Sequence, residues 1–181
     1  MKRAFFLDRD GVLNVEVNYL GDPEKMVLLP GSAEAVKLIH ELGFMAVVIT
    51  NQGGIAKKLF TEKNMHEVHA RMQRDLLACD RNAVLDAFYY CPHHPEITGR
   101  CPCRKPESYM LDKAAADFGI DLKRSFMIGD RMSDLFTGRN AGCAASCLVR
   151  TGYGENHLEA AVEEGFFTAT DLLEAVKLLT K

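Results

Sequence analysis

Short, largely apolar runs recur along the chain at Ala4 to Leu7, Phe44 to Ile49, Ala87 to Tyr90, Phe126 to Ile128, Ser146 to Val149 and Phe166-Phe167. A strand covered on both faces needs an unbroken apolar run rather than an alternation, so these segments predict buried parallel strands. Between them the apolar positions shift to helical spacing. Val36, Leu38, Ile39 and Leu42 follow the opening Pro30-Gly31-Ser32 and stop at Gly43. Met65, Val68, Met72 and Leu76 share one face of a helix N-capped by Thr61 and running to about Cys79. Further helices are predicted from Ser108 to Phe118, from just after Ser133 to Asn140, near Leu158 to Glu164, and from Leu172 to Leu179 behind a Thr170 or Asp171 cap. The stretch from Val15 to Leu29 has no periodicity and carries Asn18, Gly21, Asp22 and Pro23, so it predicts a loop. Strands alternate with helices, which predicts an α/β fold: a doubly wound parallel sheet with helices on both faces.

Composition narrows the picture. The chain has 181 residues, 48% hydrophobic and 26% charged, with no repeat, linker or low-complexity tract, so a single domain over residues 1–181 is expected. The net charge of −3 provides no basic field for nucleic acid or an anionic membrane. An anionic substrate must therefore be held by local cations or by metal. No run approaches the roughly 18 apolar residues of a membrane span, and Met1-Lys2-Arg3 leads directly into the first strand. A cytoplasmic protein is expected, and a monomer, since no heptad or apolar stripe asks for a partner.

The chemistry gathers where the predicted strands end, which is where ligands bind in open α/β sheets. Asp8-Arg9-Asp10-Gly11 follows the first strand. Period-2 alternation points Asp8 and Asp10 into a cleft and Arg9 away from it, and two neighbouring carboxylates call for a cation or a shared proton. This suggests a divalent-metal site with a carboxylate free for reaction. The second strand ends in Thr50-Asn51-Gln52-Gly53-Gly54, rich in donors for an anion but not a Walker loop. The fourth ends in Gly129-Asp130-Arg131-Met132-Ser133-Asp134. A second constellation lies between: Cys91, His93, Cys101 and Cys103, with His94 as the alternative imidazole. Three thiolates and an imidazole at this spacing match a closed, structural zinc site, which would fix Arg104 and Lys105 beside the cleft. Cys79, Cys143 and Cys147 read as packing residues.

Taken in order, Asp8-Arg9-Asp10-Gly11-Val12, Thr50, Lys105 and Gly129-Asp130 with Asp134 resemble the four motifs of the haloacid dehalogenase superfamily of phosphohydrolases. Within it, Thr50-Asn51-Gln52-Gly53-Gly54-Ile55-Ala56, Cys91-Pro92-His93-His94-Pro95, Cys101-Pro102-Cys103-Arg104-Lys105-Pro106 and Val149-Arg150-Thr151-Gly152 are similar to the D-glycero-D-manno-heptose 1,7-bisphosphate phosphatases. The resemblance implies a capless fold of haloacid dehalogenase type with a zinc loop at about 91–103. It also implies hydrolysis of the C7 phosphate of a sugar bisphosphate in lipopolysaccharide or related glycan synthesis. Asp8 would be the nucleophile, Asp10 the general acid and base, and Thr50 and Lys105 the phosphoryl stabilisers. Mg²⁺ would be held by Asp8, the Asp10 carbonyl and Asp130. Asp134 would orient Lys105 or a metal-bound water. Arg104 and Arg131 would take the second anionic group, with Asn18, Tyr19, Asp22, Asn51, Gln52 and Gly53 around the sugar.

The histidinol-phosphate phosphatases share the zinc loop and remain the alternative, because the seven residues between His93 and Cys101 are few and Arg131 stands where heptose enzymes often carry Lys. A phospho-accepting signalling domain is disfavoured by Asp10, which would hydrolyse the intermediate. A polynucleotide 3'-phosphatase is disfavoured by the acidic balance.

Overall fold

The computed structural model describes residues 1–181 and places Ala4–Leu7 (β1) at the centre of a six-stranded sheet. Met45–Asn51 (β2) and Ala87–Cys91 (β3) extend it to one side, and Phe126–Gly129 (β4), Ala145–Val149 (β5) and Phe167–Ala169 (β6) to the other. Every pairing is parallel, with Leu7 opposite Val48 on one side and Ile128 on the other. All four β1 residues are fully buried, as an apolar run flanked by two strands and two layers of helices must be. Phe5 and Leu7 face the larger core, built with Ser32–Glu41 (α1), Glu62–Cys79 (α2) and Leu172–Leu179 (α7). Ala4 and Phe6 face the smaller one, with Met110, Leu111 and Ala114 of Tyr109–Phe118 (α4). Pro95–Thr98 (α3), Met132–Ala141 (α5) and Gly154–Glu163 (α6) complete the helices. Each connection between strands is a loop carrying one or two α-helices, and no helix is long and apolar enough to cross a membrane.

Several boundaries differ from the expected ones. The strand β2 starts at Met45 and runs to Asn51, so Thr50 lies within the sheet. Phe44 instead joins an aromatic cluster, its ring centroid 5.0 Å from Phe5 and 5.8 Å from Phe126. The strand β6 begins at Phe167 because Phe166 turns edge-on to Phe136, 5.6 Å away. The helix α6 opens at Gly154, ahead of the first apolar residue of its periodic stretch; a Cβ there would lie 1.8 Å from the Val149 carbonyl oxygen, so only glycine permits so tight an exit from β5. Cys147 is buried and Cys143 partly so, but Cys79 is exposed, because the last turn of α2 runs out past the core. Within the 15–29 loop, Pro23–Lys25 forms a 3₁₀ turn too short to leave a periodic signal.

Candidate active site

The strand order puts β1 between β2 and β4, so the residues just past these three strands meet. Asp8 donates its backbone N–H to the Ile128 carbonyl (3.0 Å) and turns its carboxylate towards Lys105, whose Nζ lies 2.8 Å from Asp8 Oδ1 and 2.7 Å from Asp134 Oδ1. The ammonium also donates to the Ile49 carbonyl at 3.0 Å. Burial alone would lower the Lys105 pKa, but Asp134 and Asp8 outweigh it and hold the ammonium above its ordinary range. Asp8 Oδ1 accepts a second bond, from the Arg9 N–H (2.7 Å), while Oδ2 accepts none. Thr50 is buried, and its hydroxyl accepts from the Gln52 amide (2.8 Å), which also donates to Asp10 (3.2 Å).

Arg9, which alternation along the strand points away from the cleft, is not left to solvent. It is fully buried, and its guanidinium grips both oxygens of the Asp10 carboxylate, with the shortest contact 2.8 Å. The far side of the guanidinium meets His69 Nε2 at 3.3 Å, with the imidazole stacked on Phe88 at 4.4 Å. Burial and the adjacent Arg9 charge push His69 down to about 3, so the ring is neutral and accepts from the guanidinium. Burial would raise Asp10, yet Arg9, Asn14 and Gln52 together hold it below the ordinary carboxylate range. Asp10 therefore has its own buried cation, separate from the one beside Asp8.

The remaining carboxylates have a charge excess. Ligand oxygens of Asp8, Asp130 and Asp134 lie within 4.8 Å of one another, with Lys105 the one ammonium among them. Burial, reinforced by Asp134 and Asp130, raises Asp8, and burial with Asp134 pushes Asp130 up to about 7. Asp130 Oδ2 accepts the Tyr153 N–H at 2.8 Å, but Oδ1 is buried without a partner. Gly11 and Gly152 close over this carboxylate so tightly that a Cβ on either would fall 2.2 Å from Oδ2. An orphaned buried oxygen, a second acid and a nearby Asp10 carbonyl that accepts no backbone hydrogen bond form the hard oxygen donor set that suits Mg²⁺.

Above these groups opens a polar cavity of about 320 Å³. It is lined by Asp8, Asp10, Thr50, Lys105 and Asp134 at its base and by Asn18, Tyr19, Asn51, Gln52, Gly53, Arg104 and Arg131 around its wall. The structure thus brings together all but one of the residues proposed from the sequence for catalysis or substrate contact. Asp22 stands apart: its carboxylate accepts the Glu24 N–H (3.0 Å) and caps the 3₁₀ turn, on a neighbouring depression shared with Asn18, Tyr19 and Phe60. Glu16, His94 and Ser133 also line the cavity, though the sequence marks none of them as a substrate contact. Glu16 accepts the Asn18 N–H at 2.6 Å, which helps hold Asn18 and Tyr19 at positive φ.

The Cys/His constellation closes as the spacing implies. Cys91, Cys101 and Cys103 Sγ atoms are 3.0 to 3.5 Å apart, and His93 Nδ1 is 3.3 Å from Cys103 Sγ. The edges of a tetrahedral zinc–thiolate site are on the order of 3.7 Å, whereas a disulfide would draw two sulfurs to about 2 Å. The four donors form a cage of nearly that size, and His93 rather than His94 turns into it. The loop is tied to the cavity through Arg104, which donates to the His93 carbonyl (2.9 Å), and through Lys105 N–H, which donates to Asn51 Oδ1 (3.1 Å).

Residues 102–175 match a HAD-hydrolase-like family model. The chain is 41% identical over 96% of its length to the D-glycero-D-manno-heptose-1,7-bisphosphate 7-phosphatase of Thermosynechococcus vestitus, covering 93% of that protein. It is 37% identical to the D-glycero-β-D-manno-heptose-1,7-bisphosphate 7-phosphatase of Escherichia coli K12, covering 96% of this chain and 93% of that one. Among solved structures, the D,D-heptose 1,7-bisphosphate phosphatase of B. bronchiseptica complexed with magnesium and phosphate superposes with a TM-score of 0.88 at 34% identity, over 99% and 98% of the two chains. The chain belongs to the D-glycero-D-manno-heptose-1,7-bisphosphate 7-phosphatase family of haloacid dehalogenase-like hydrolases.

Proposed function

We propose that the protein removes the C7 phosphate of D-glycero-D-manno-heptose 1,7-bisphosphate, with Mg²⁺ in the carboxylate cluster and zinc in the thiol cage. The observation that carries this reading is the presence, in one cavity with Asp8, of two guanidinium groups that pair with no carboxylate. Arg104 and Arg131 line the wall, whereas Arg9, the other guanidinium beside the catalytic acids, is taken up by Asp10. A bisphosphate offers one phosphoryl group for cleavage and another for anchoring, and guanidinium groups outside any ion pair suit the anchor.

Asp8 attacks phosphorus, and the bond to the sugar oxygen breaks as an aspartyl phosphate forms. Asp10 gives the leaving oxygen its proton, then takes one from the water that attacks the aspartyl phosphate, which frees inorganic phosphate and restores Asp8. Arrival of a phosphate dianion adds negative charge beside Asp10 and raises its proton affinity from the low value of the free protein, which suits the acid step. Thr50 and Lys105 stabilise the transferring oxygens, and Asp134 aims the ammonium. Held by Asp8, Asp130 and the Asp10 carbonyl, Mg²⁺ would supply the charge neutralisation that phosphoryl transfer requires. Cys91, His93, Cys101 and Cys103 would hold zinc as a closed four-ligand set, supplying structural rather than chemical service, and the loop so tied would keep Arg104 and Lys105 in place. Asn18, Tyr19, Asn51, Gln52 and Gly53 surround the sugar, and Asp22 acts only by holding its turn. One chain supplies every group, so a monomer suffices.

The test is phosphate release with Mg²⁺ from both anomers of the heptose bisphosphate beside histidinol phosphate. A kcat/KM preference for the heptose of at least about 10³-fold, on the order of 4 kcal/mol, is expected. A preference for histidinol phosphate would overturn the substrate and leave the chemistry; inactivity on every ester would overturn both.

A further inference from the structure

Arg131 is exposed on the cavity rim as the residue before α5, and its guanidinium carbon lies 3.9 Å from the centroid of the Tyr153 ring. No carboxylate lies within ion-pair distance of the guanidinium, although Glu16 and Asp130 both feel its charge, and the ring is the group it lies against. Tyr153 belongs to the loop after β5, and this loop is held on two sides of the metal-binding cluster. The Tyr153 N–H donates to Asp130 Oδ2 (2.8 Å), and Thr151 Oγ1 donates to the Gly11 carbonyl (2.6 Å). The Tyr153 hydroxyl makes no hydrogen bond to the chain, so the ring's service is its face.

A guanidinium laid on an aromatic face has one face covered and keeps all its in-plane N–H donors. Those donors are the ones that recognise phosphate in bidentate fashion. An arginine free to roam would lose rotamer entropy on each binding event, whereas one already held on a rigid ring loses less. We infer that Tyr153 is a positioning residue that holds the Arg131 guanidinium on the rim, ready for the phosphate of the substrate that is not cleaved. The inference rests on the reading of Arg131 as an anchor for that second phosphate, and it assigns the specificity for bisphosphates partly to a ring that never touches substrate.

The experiment compares wild type, Y153L, Y153F, R131A and R131A/Y153L on the heptose 1,7-bisphosphate and on the heptose 7-phosphate, which lacks the anchor. Y153L is expected to raise KM for the bisphosphate roughly 3- to 10-fold, with kcat and the Mg²⁺ requirement unchanged and the monophosphate unaffected. Y153F keeps the ring and should match wild type. In the R131A background Y153L should cost nothing further, because the two residues act as one unit. Loss in Y153F equal to that in Y153L would overturn the inference, as would an equal cost on the monophosphate or in the R131A background. A fall in kcat with a raised Mg²⁺ requirement would show that Tyr153 serves Asp130 alone, and overturn it too. If R131A raises the bisphosphate KM while Y153L changes nothing, the ring is discarded and the anchor stands; if R131A itself fails to separate the two substrates, the anchor is wrong. Should Y153L not fold, Y153Q is the second ringless variant.

Discussion

Replacing Arg9 with methionine removes a charge that the fold has sealed away from water. The Arg9 side chain is 0% exposed and that of Asp10 17%, and the guanidinium is the carboxylate's bidentate partner. Removing one member of a buried pair costs about 3–5 kcal/mol, because the other charge stays behind. Asn14 (3.0 Å) and Gln52 (3.2 Å) still donate to Asp10 in the variant, and the carboxylate retains some access to water, so the lower end applies. A loss of about 3 kcal/mol in a chain of this size lowers Tm by roughly 6–12 °C. Methionine keeps most of the stem's packing, so the deficit is electrostatic, and pH should reveal it. Asp10 has a folded pKa below its unfolded one, so its pairing contributes stability that is present above about pH 4 and fades as the pH falls through the folded value. The Tm gap between wild type and Arg9→Met should therefore narrow between pH 6 and about pH 3, measured without substrate. With Asp10 no longer held in place, kcat should fall by about 10²-fold. A variant that melts with wild type at every pH and keeps kcat would show that the pair neither stabilises the fold nor aims the acid, and would refute the reasoning.

Asp8→Asn should lower kcat by at least about 10⁴-fold and melt no lower than wild type, since burial already disfavours the charged carboxylate; phosphate release and calorimetry check both. Gly152→Ala drives a Cβ into Asp130 Oδ2 and the Gly11 Cα from a backbone at φ +58°, so the Mg²⁺ concentration for half-maximal activity should rise about 10- to 100-fold. An unchanged Mg²⁺ titration would free Asp130 from its assigned role. Cys103→Ser, or zinc removal by a chelator that spares Mg²⁺, should lower Tm and raise KM through Arg104, because the free energy of binding is also free energy of folding. Full activity and unchanged melting in the zinc-free protein would discard the positional role of the cage.

The residues legible from the sequence are those whose placement follows from a single local rule. An apolar run predicts a buried strand, and Asp8 and Asp130 then stand just past strand ends, with Thr50 in the last paired residues of β2, because parallel sheets expose that edge. The thiol cage is legible because four soft ligands within one short segment have few other uses. Arg9 defeats the same reasoning. Alternation correctly turns it to the side opposite Asp8, but the sequence does not reveal that His69 and the Leu20 carbonyl, rather than water, lie there. Glu16 and Tyr153 are equally silent, since each gains its place from a loop whose path is fixed by distant contacts. Asp22 shows the opposite failure: its residue type suits a sugar hydroxyl and an N-cap alike, and only the geometry assigns it to the cap.

The two buried cations show how a pair of acids separated by a single residue could hold the different tasks proposed for them. The like charges that crowd Asp8 are Asp134 and Asp130 rather than Asp10, so the two neighbouring acids sit in separate electrostatic surroundings. The fold separates them by giving each its own partner from a different direction. Lys105 reaches Asp8 from the segment behind the thiol cage and is aimed by Asp134, while Arg9 reaches Asp10 from the α2 side and is backed by His69 and Phe88. Asp8 is left with one oxygen that accepts no hydrogen bond, and Asp10 with a carboxylate whose position is fixed before substrate arrives. The division predicts that exchanging the cations' character has unequal effects. Lys105→Arg forces a planar fork into a buried space shaped for an ammonium and should abolish turnover. Arg9→Lys keeps the charge but loses the bidentate grip, so it should retain more stability than Arg9→Met while still lowering kcat. Equal melting of the two Arg9 variants would mean that charge at this position counts for nothing.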